Sequence, residues 1–366
     1  MVIALSQRQL LTLPEYFRAL ARNIEPPKER KDAAADIPKD VREYLKTSNN
    51  LTTESPHSRL TGSYARSTAI HAIKDVDFVV FVKAGEEDPD PVATLEALYK
   101  ALKGLPGELG YDGKAQILRR QRRSVHVEFE GKDFHLDVVP ALIRDGIDEP
   151  LRVPDREWNT WERSDPLGYG RALSELNSET GDKAVRLIKL FKHWRTVQMK
   201  YLRPKSYYLE ALIYRHLDRS WVTTDGKSDA ELFTDLIRSI RDRFQPALDG
   251  DYVPVISDPM LGHNIAFNWE QDSFKSFMAQ LDQSISWAER ALAKERDELD
   301  AAIELWQKVF GAEHFADSST TRRLQQAEWL STGSIFVTGA GRVLDKPPAA
   351  GPAVSSPRHR FYGDVD

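Results

Sequence analysis

The sequence predicts an α+β protein with two lobes, a mixed β-sheet lobe followed by a helical one. Two observations carry this. Short runs rich in Val, Ile and Phe cluster between Leu60 and Leu142, and from about residue 171 apolar residues recur almost throughout at helical spacing. A length of 366 residues with 41% hydrophobic content suits two lobes or one large domain with a substantial core.

Along the chain, Leu10, Leu11, Leu13, Tyr16, Phe17 and Leu20 predict an amphipathic helix over 7–23 that packs on the later lobes, and Asp40 to Lys46 a second. DVDFVVFV at 75–82, AQILRR at 115–120, SVHVEFE at 124–130 and DFHLDVVPAL at 133–142 read as strands, with a helix from Pro91 to Leu102 between the first two. The simplest assembly is a mixed sheet with helices on one side. Residues 143–170, rich in Pro, Asp and Trp, read as a loop. Helices are expected at Ala184–Trp194, Tyr207–Leu217 and Leu232–Phe244, and one long signal runs from Phe274 to Phe310 with Gly311 as its C-cap. The stretch after Thr338 cannot bury enough apolar surface to fold alone. The division that follows is 1–50 for N-terminal helices packing across the lobes, 51–170 for the sheet lobe, 171–337 for the helical lobe and 338–366 for a flexible tail.

A net charge of -5, from 51 Lys+Arg against 56 Asp+Glu, argues against a protein that coats nucleic acid through bulk charge. The absence of cysteine excludes disulfides, thiolate catalysis and zinc-thiolate sites. MVIAL is too short for a signal segment or a membrane span, so a soluble, cytoplasmic protein is expected.

The most informative stretch is GSYARSTAIHAIKDVD, residues 62–77. Asp75 and Asp77, spaced i, i+2 on a strand, project from one face, while Val76 and Phe78 enter the core. Asp137 sits between Leu136 and Val138 in a strand whose neighbours are apolar, where an unpaired carboxylate is costly. A shared cation removes that cost, and carboxylates gathered at a phosphate point to magnesium. A D-x-D alone is as well explained by a solvated strand edge. Gly62 and Ser63 form a turn able to wrap phosphate oxygens with backbone N–H groups, although Gly-Ser also marks ordinary turns.

Gly-Ser, then Asp-x-Asp, then a lone aspartate on a later strand resembles the polymerase-β-like nucleotidyltransferases. Within them, GSYARSTAI, KDVDFVVF and HLDVVPA are most similar to the CD-NTases, the cyclic GMP-AMP synthase and dinucleotide-cyclase-like enzymes of bacterial anti-phage (CBASS) signalling. The resemblance is close over 59–142 and looser over the helical lobe. It implies a bilobed polymerase-β-like fold and two Mg²⁺ ions, replaceable by Mn²⁺, on Asp75, Asp77 and Asp137, the last beside the attacking hydroxyl. It also implies triphosphate contacts from Gly62 and Ser63, a phosphate-binding Lys189 in RLIK, a triphosphate contact from Ser206 and base stacking by Tyr207. From the residues alone, Ser206 is fully explained as the N-cap of YYLEALIYRHL.

The implied substrates are ATP, alone or with other NTPs, the implied product a cyclic di- or trinucleotide sensed by an effector protein, and the C-terminal tail a segment for a regulatory partner. Its GDVD ending does not favour conjugation at the last residue. No zinc-finger spacing is seen, so DNA activation is not indicated. The alternatives are a linear oligonucleotide synthase, a transferase acting on RNA or a protein hydroxyl, and a non-catalytic nucleotide-binding regulatory protein.

Other polar residues read as structural. Arg66, Arg186 and Lys192 are expected to be solvated. His71, His126 and His135 are expected to pack or lie on the surface, and His193 shares a face with Arg186 and Lys189. The run Arg119-Arg120-Gln121-Arg122-Arg123 is expected to be a solvated turn, and the tryptophans of WNTWERSDP to pack. ISDPMLGHNIAF, at 256–267, is expected to stabilise the lobe interface without chemistry.

Overall fold

The computed structural model describes residues 12–71, 75–103, 105, 117–129, 134–294 and 298–315, and three short strands beyond them. Helix α1 (Leu13–Asn23) begins at a capping box in which the Thr12 N–H donates to Glu15 Oε2 at 2.6 Å. Residues 7–11 of the expected helix lie outside the described residues. Helix α2 (Lys28–Lys46) is longer than expected. Its charged first half hides the pattern, with Ala34 and Ile37 as the buried positions there.

A strand that sequence patterning did not find follows, β1 (Thr53–Thr61), and after it the four-residue helix α3 (Gly62–Ala65). Then come β2 (Asp75–Val82), α4 (Pro91–Leu102), β3 (Ile117–Arg120), β4 (Val125–Phe129) and β5 (Phe134–Ala141), all within the expected runs. The five strands form one mixed sheet in the order β1-β2-β5-β4-β3, in which β2 and β5 are parallel and the other pairings antiparallel. Helices α2 and α4 cover one face, burying Ile37, Val41, Leu98 and Leu102 against Val76, Phe78, Val80, Leu136 and Val138.

On the opposite face the register alternates as a strand demands, but the polarity changes along β2. Val79 and Phe81 are buried with Leu151 and Val153, whereas Asp77 is half-buried and Asp75 exposed. Leu151 and Val153 belong to a hairpin, β6 (Leu151–Asp155) and β7 (Thr160–Ser164), inside the stretch expected to be a loop. The hairpin was obscured because Pro154, Asp155, Asn159 and Asp165 break its alternation.

The remaining helices are α5 (Pro166–Glu179), α6 (Lys183–Gln198), α7 (Ser206–Asp218), α8 (Asp229–Asp249), α9 (Gln271–Lys294) and α10 (Leu299–Phe310). The long signal at Phe274–Phe310 is therefore two helices. Their core is rich in aromatic rings, with Phe191, Trp194, Phe233, Phe277, Trp306 and Phe310 together, and it includes Tyr16, Phe17 and Leu20 of α1. The N-terminal helices thus divide, α1 joining the helical core and α2 the sheet core. Beyond residue 315, strands β8 (Phe336–Thr338), β9 (Val343–Leu344) and β10 (Ala353–Ser355) pair antiparallel around β8. These pairings include residues that the sequence reading assigned to a flexible tail.

Candidate active site

Strand register builds the site. Asp77 is opposite Asp137 across the parallel β2/β5 pair, Thr61 is opposite Asp77 on β1, and His126 is opposite Asp137 on β4. One row across the sheet therefore reads Thr61, Asp77, Asp137, His126, and Asp75 lies two residues along β2, on the same face. This row belongs to the face not covered by α2 and α4.

Gly62 follows the last residue of β1, Thr61, and opens α3 at the edge of this row. Its φ is +69°, and a Cβ added to it would lie 1.7 Å from Asp77 Oδ2. Only glycine fits, for both conformational and steric reasons. Ser63 follows in the first turn of α3, and its carbonyl accepts from the Thr68 N–H at 2.9 Å.

The carboxylates are electrostatically strained. Burial, and next the Asp137 carboxylate, push the Asp77 carboxyl up to about 6 from its ordinary 3.8. Asp137 is only partly exposed, and its Oδ1 lies 2.8 Å from His126 Nδ1. A carboxylate can only accept, so His126 Nδ1–H donates. His126 is therefore neither simple packing nor a surface residue but the hydrogen-bond partner of Asp137. Among the described residues, the three aspartates are not a set whose oxygens already converge within 4.8 Å. The donor set nonetheless fits a divalent cation. It is all oxygen, it carries like charges that repel, and the absence of a Cβ at Gly62 makes room for the Asp77 carboxylate itself.

The helical-lobe residues lie in different settings. Lys189 Nζ is ion-paired with Glu25 in the α1–α2 connection, and Lys31 holds the other Glu25 oxygen at 3.0 Å. Ser206 is the first residue of α7 rather than its cap, which is Lys205, and its Oγ accepts from Arg195 Nη1 at 3.1 Å. Burial lowers Arg195 to about 10. Tyr207 donates its hydroxyl to Asp258 Oδ2 at 2.8 Å and meets Tyr169 edge-on, while Tyr208 is buried and bonds Asn268. Asp258 also accepts from the N–H groups of Met260 and Leu261, so the ISDPMLGHN loop braces the base of α7.

The expectation of solvation fails for two residues here. Arg66 and Lys192 are not solvated but buried around Glu210. Arg66 Nε donates to Glu210 Oε2 at 2.9 Å, Lys192 Nζ to Oε1 at 2.5 Å, and the Thr68 hydroxyl to Oε1 at 3.0 Å. Arg66 also lies over the Tyr169 ring at 5.0 Å. This network ties the segment after Gly62-Ser63 to α6 and α7, and a single acidic residue in the apolar run YYLEALIY was its signal. Arg186 stays partly exposed while pairing with Asp229. The arginine run is exposed around the turn between β3 and β4, as expected, and its charge is balanced by nearby acids. Arg120 meets Glu96 and the Tyr99 ring, Arg122 and Arg123 meet Asp155, and Arg119 lies 3.9 Å from Glu128. Of the two tryptophans, Trp161 donates to the Pro89 carbonyl as packing requires, but Trp158 is exposed.

The mixed sheet with its acidic row, joined to a helical lobe, has the fold of the polymerase-β-like nucleotidyltransferases. Residues 11–177 match the family described as the Second Messenger Oligonucleotide or Dinucleotide Synthetase domain. The chain is 29% identical over 354 residues to a cyclic AMP-AMP-AMP synthase of an Acinetobacter strain, covering 94% of this chain and 97% of that one. In fold it is similar to CdnC of E. coli MS115-1 with ATP, at TM-score 0.64, 18% identity and coverage of 84% and 99%. CdnC is also known in a complex with HORMA-deltaN. The CD-NTase CdnG of Bradyrhizobium diazoefficiens, in complex with GTP, is similar at TM-score 0.64 and 16% identity, with coverage of 86% and 99%. Together these likenesses support a member of the CD-NTase family of cyclic oligonucleotide synthases. Among the described residues no helix is long and apolar enough to cross a membrane.

Proposed function

We propose that this enzyme joins ATP, alone or with other NTPs, into a cyclic di- or trinucleotide with release of pyrophosphate, a second messenger for anti-phage defence that an effector protein reads. The observation that carries the reading is the pairing of Asp77 with Asp137 across two parallel strands beneath Gly62. The similarity to a cyclic AMP-AMP-AMP synthase favours adenosine and a ring of three. A regulatory protein partner belongs to the same proposal, supported by the complex that CdnC forms with HORMA-deltaN.

In this reading Asp75, Asp77 and Asp137 hold two Mg²⁺ ions, for which Mn²⁺ substitutes. When bound, these ions neutralise charge on the α-phosphate and on the leaving pyrophosphate. The attacking 2′- or 3′-hydroxyl oxygen forms the new bond to the α-phosphorus, the bond to the β-phosphate oxygen breaks, and the hydroxyl proton passes to the aspartate row. Asp137 is the residue beside that hydroxyl, oriented by the His126 imidazole. Gly62 lets the chain approach the triphosphate closely, and Ser63 offers an N–H and a hydroxyl at the start of α3, where the backbone favours anions. Lys189 exchanges its Glu25 partner for phosphate oxygens. Ser206 reaches the donor triphosphate beside Arg195, and Tyr207 stacks on the base with its hydroxyl tethered to Asp258. The boundaries 51–170 and 171–337 serve as the two walls of the cleft.

The test is to incubate the full chain with labelled ATP and Mg²⁺ or Mn²⁺ and then treat it with phosphatase. The reading expects a label that resists phosphatase, because a ring has no terminal phosphate. With the label on the α-phosphate, a product that gives up its 5′-terminal label while its internal linkages keep theirs would instead identify a linear synthase, and label released entirely as inorganic phosphate under every nucleotide and partner condition a non-catalytic binding protein.

A further inference from the structure

Apart from the aspartate row, three imidazoles from separate parts of the chain meet at one point. His71 lies on the segment between α3 and β2, His193 on α6 and His314 just beyond α10. One ring nitrogen of each lies within 4.8 Å of the others. The ring centroids are 5.0 Å apart for His71–His193, 5.0 Å for His71–His314 and 4.6 Å for His193–His314.

Hydrogen bonding fixes the tautomer of the central ring. His193 Nε2 is 2.8 Å from the Phe310 carbonyl, which can only accept, so Nε2 carries the proton and Nδ1 keeps its lone pair. That Nδ1 faces His71 Nε2 at 2.9 Å. Metal-bound histidines commonly donate their second nitrogen to a carbonyl in this way. Nitrogens on a tetrahedral zinc, with bonds of 2.0–2.1 Å, are separated by roughly 3.3 Å. The pair therefore needs to open by only about 0.4 Å, with the His71 proton moving to its own Nδ1, for an ion to replace the shared proton.

The supporting shell is fixed as well. The His71 N–H donates to the Ile24 carbonyl at 2.7 Å, and Asn23 Nδ2 donates to the His314 carbonyl at 3.1 Å. Glu313 Oε1 lies 3.3 Å from His314 Nε2 on the solvent side of that ring. His193 is fully buried while His71 and His314 are partly exposed, which leaves an entry from solvent. Burial also lowers the pKa of His71 and His193, keeping both neutral, the form that ligates.

We propose that His71, His193 and His314 form a site for zinc(II), or a similar nitrogen-preferring transition-metal ion, distinct from the oxygen-lined aspartate site. Imidazole selects such ions over magnesium. The bound ion staples the segment that leads into β2, and so into Asp75, to α6 and the end of α10. The second histidine set, His126, Glu128 and His135, is a weaker candidate because His126 is committed to Asp137.

The test uses the full chain carrying Asp75→Asn and Asp77→Asn, so that cations on the aspartates are not counted. The chain is loaded with zinc, freed of excess by gel filtration and measured for metal by mass spectrometry. A cobalt(II)-loaded sample is read for the visible bands of a tetrahedral site. The expected result is one zinc per chain and a cobalt spectrum, both lost in His314→Gln and in His71→Gln and both kept in His135→Gln. Circular dichroism checks that each variant is folded, and the cobalt spectrum of the parent reports imidazole ligation even where one variant is not. No retained zinc in the parent, zinc that stays in both variants, or zinc lost with His135→Gln would overturn the proposal.

Discussion

Glu210 offers the sharpest physical prediction. Its carboxylate is 1% exposed, and it is the anion shared by two buried cations, Arg66 and Lys192, whose side chains are 8% and 3% exposed. At an effective dielectric constant near 20, each contact at about 3 Å is worth roughly 5 kcal/mol of gross attraction, most of which desolvation offsets. The net value of the network is therefore small. Removing only the anion is another matter, because it leaves two buried cations facing each other. Breaking a buried pair in this way typically costs about 3–5 kcal/mol, a large part of a total stability of roughly 5–15 kcal/mol. Glu210→Ala should lower the free energy of unfolding in urea by that amount. Pairing it with Lys192→Met should recover part of the loss, since one stranded charge is then gone. Because Arg66 and Thr68 follow the Gly62-Ser63 turn, Glu210→Gln should also raise the KM for ATP more than it lowers kcat. An Ala variant within 1 kcal/mol of the parent, or a double variant less stable than Glu210→Ala, would refute this account of the network.

Three further outcomes are expected. Gly62→Ala drives a methyl group into the Asp77 carboxylate and should reduce nucleotide turnover by about 10²-fold, read as pyrophosphate release, while far-UV circular dichroism stays unchanged. His126→Phe, which removes the hydrogen bond to Asp137, should raise the Mg²⁺ concentration for half-maximal activity by roughly 10–100-fold, and His126→Gln should restore part of it. His216 is buried, its Nδ1–H donates to the Leu212 carbonyl at 2.7 Å, and burial lowers its pKa to about 4 from 6.5. Its neutral form is favoured in the fold, so its contribution is complete above pH 6.5 and falls as pH drops toward 4, by about 3 kcal/mol in all. Thermal unfolding across that range should show a shallower loss in His216→Gln than in the parent.

The aspartate row was legible in the sequence because strand periodicity alone sends Asp75 and Asp77 to one face, and an aspartate between Leu136 and Val138 needs a reason to be there. Gly62 was legible as a turn, but its steric necessity beneath Asp77 is a property of β1, whose TESPHSRLT carries no alternation to announce it. Helical periodicity placed Lys192 on a polar face because it assumes solvent there. In the fold Thr68 and Glu210 occupy that side, and neither is near Lys192 in sequence. The pairing of Lys189 with Glu25 was hidden for the same reason, as was the meeting of His71, His193 and His314. Residue spacing reveals what one element does to its own faces, and these contacts are made between elements.

The central claim is that the aspartate row closes a nucleotide ring, and the stoichiometry of pyrophosphate tests it most directly. Each bond formed releases one pyrophosphate, so a ring yields one for every ATP consumed, whereas a linear product always yields one fewer than the nucleotides it contains. With the full chain, ATP and Mg²⁺, the account predicts a ratio of one that holds as the reaction proceeds, and no pyrophosphate from Asp137→Asn. A ratio clearly below one, or undiminished release from Asp137→Asn, would contradict it.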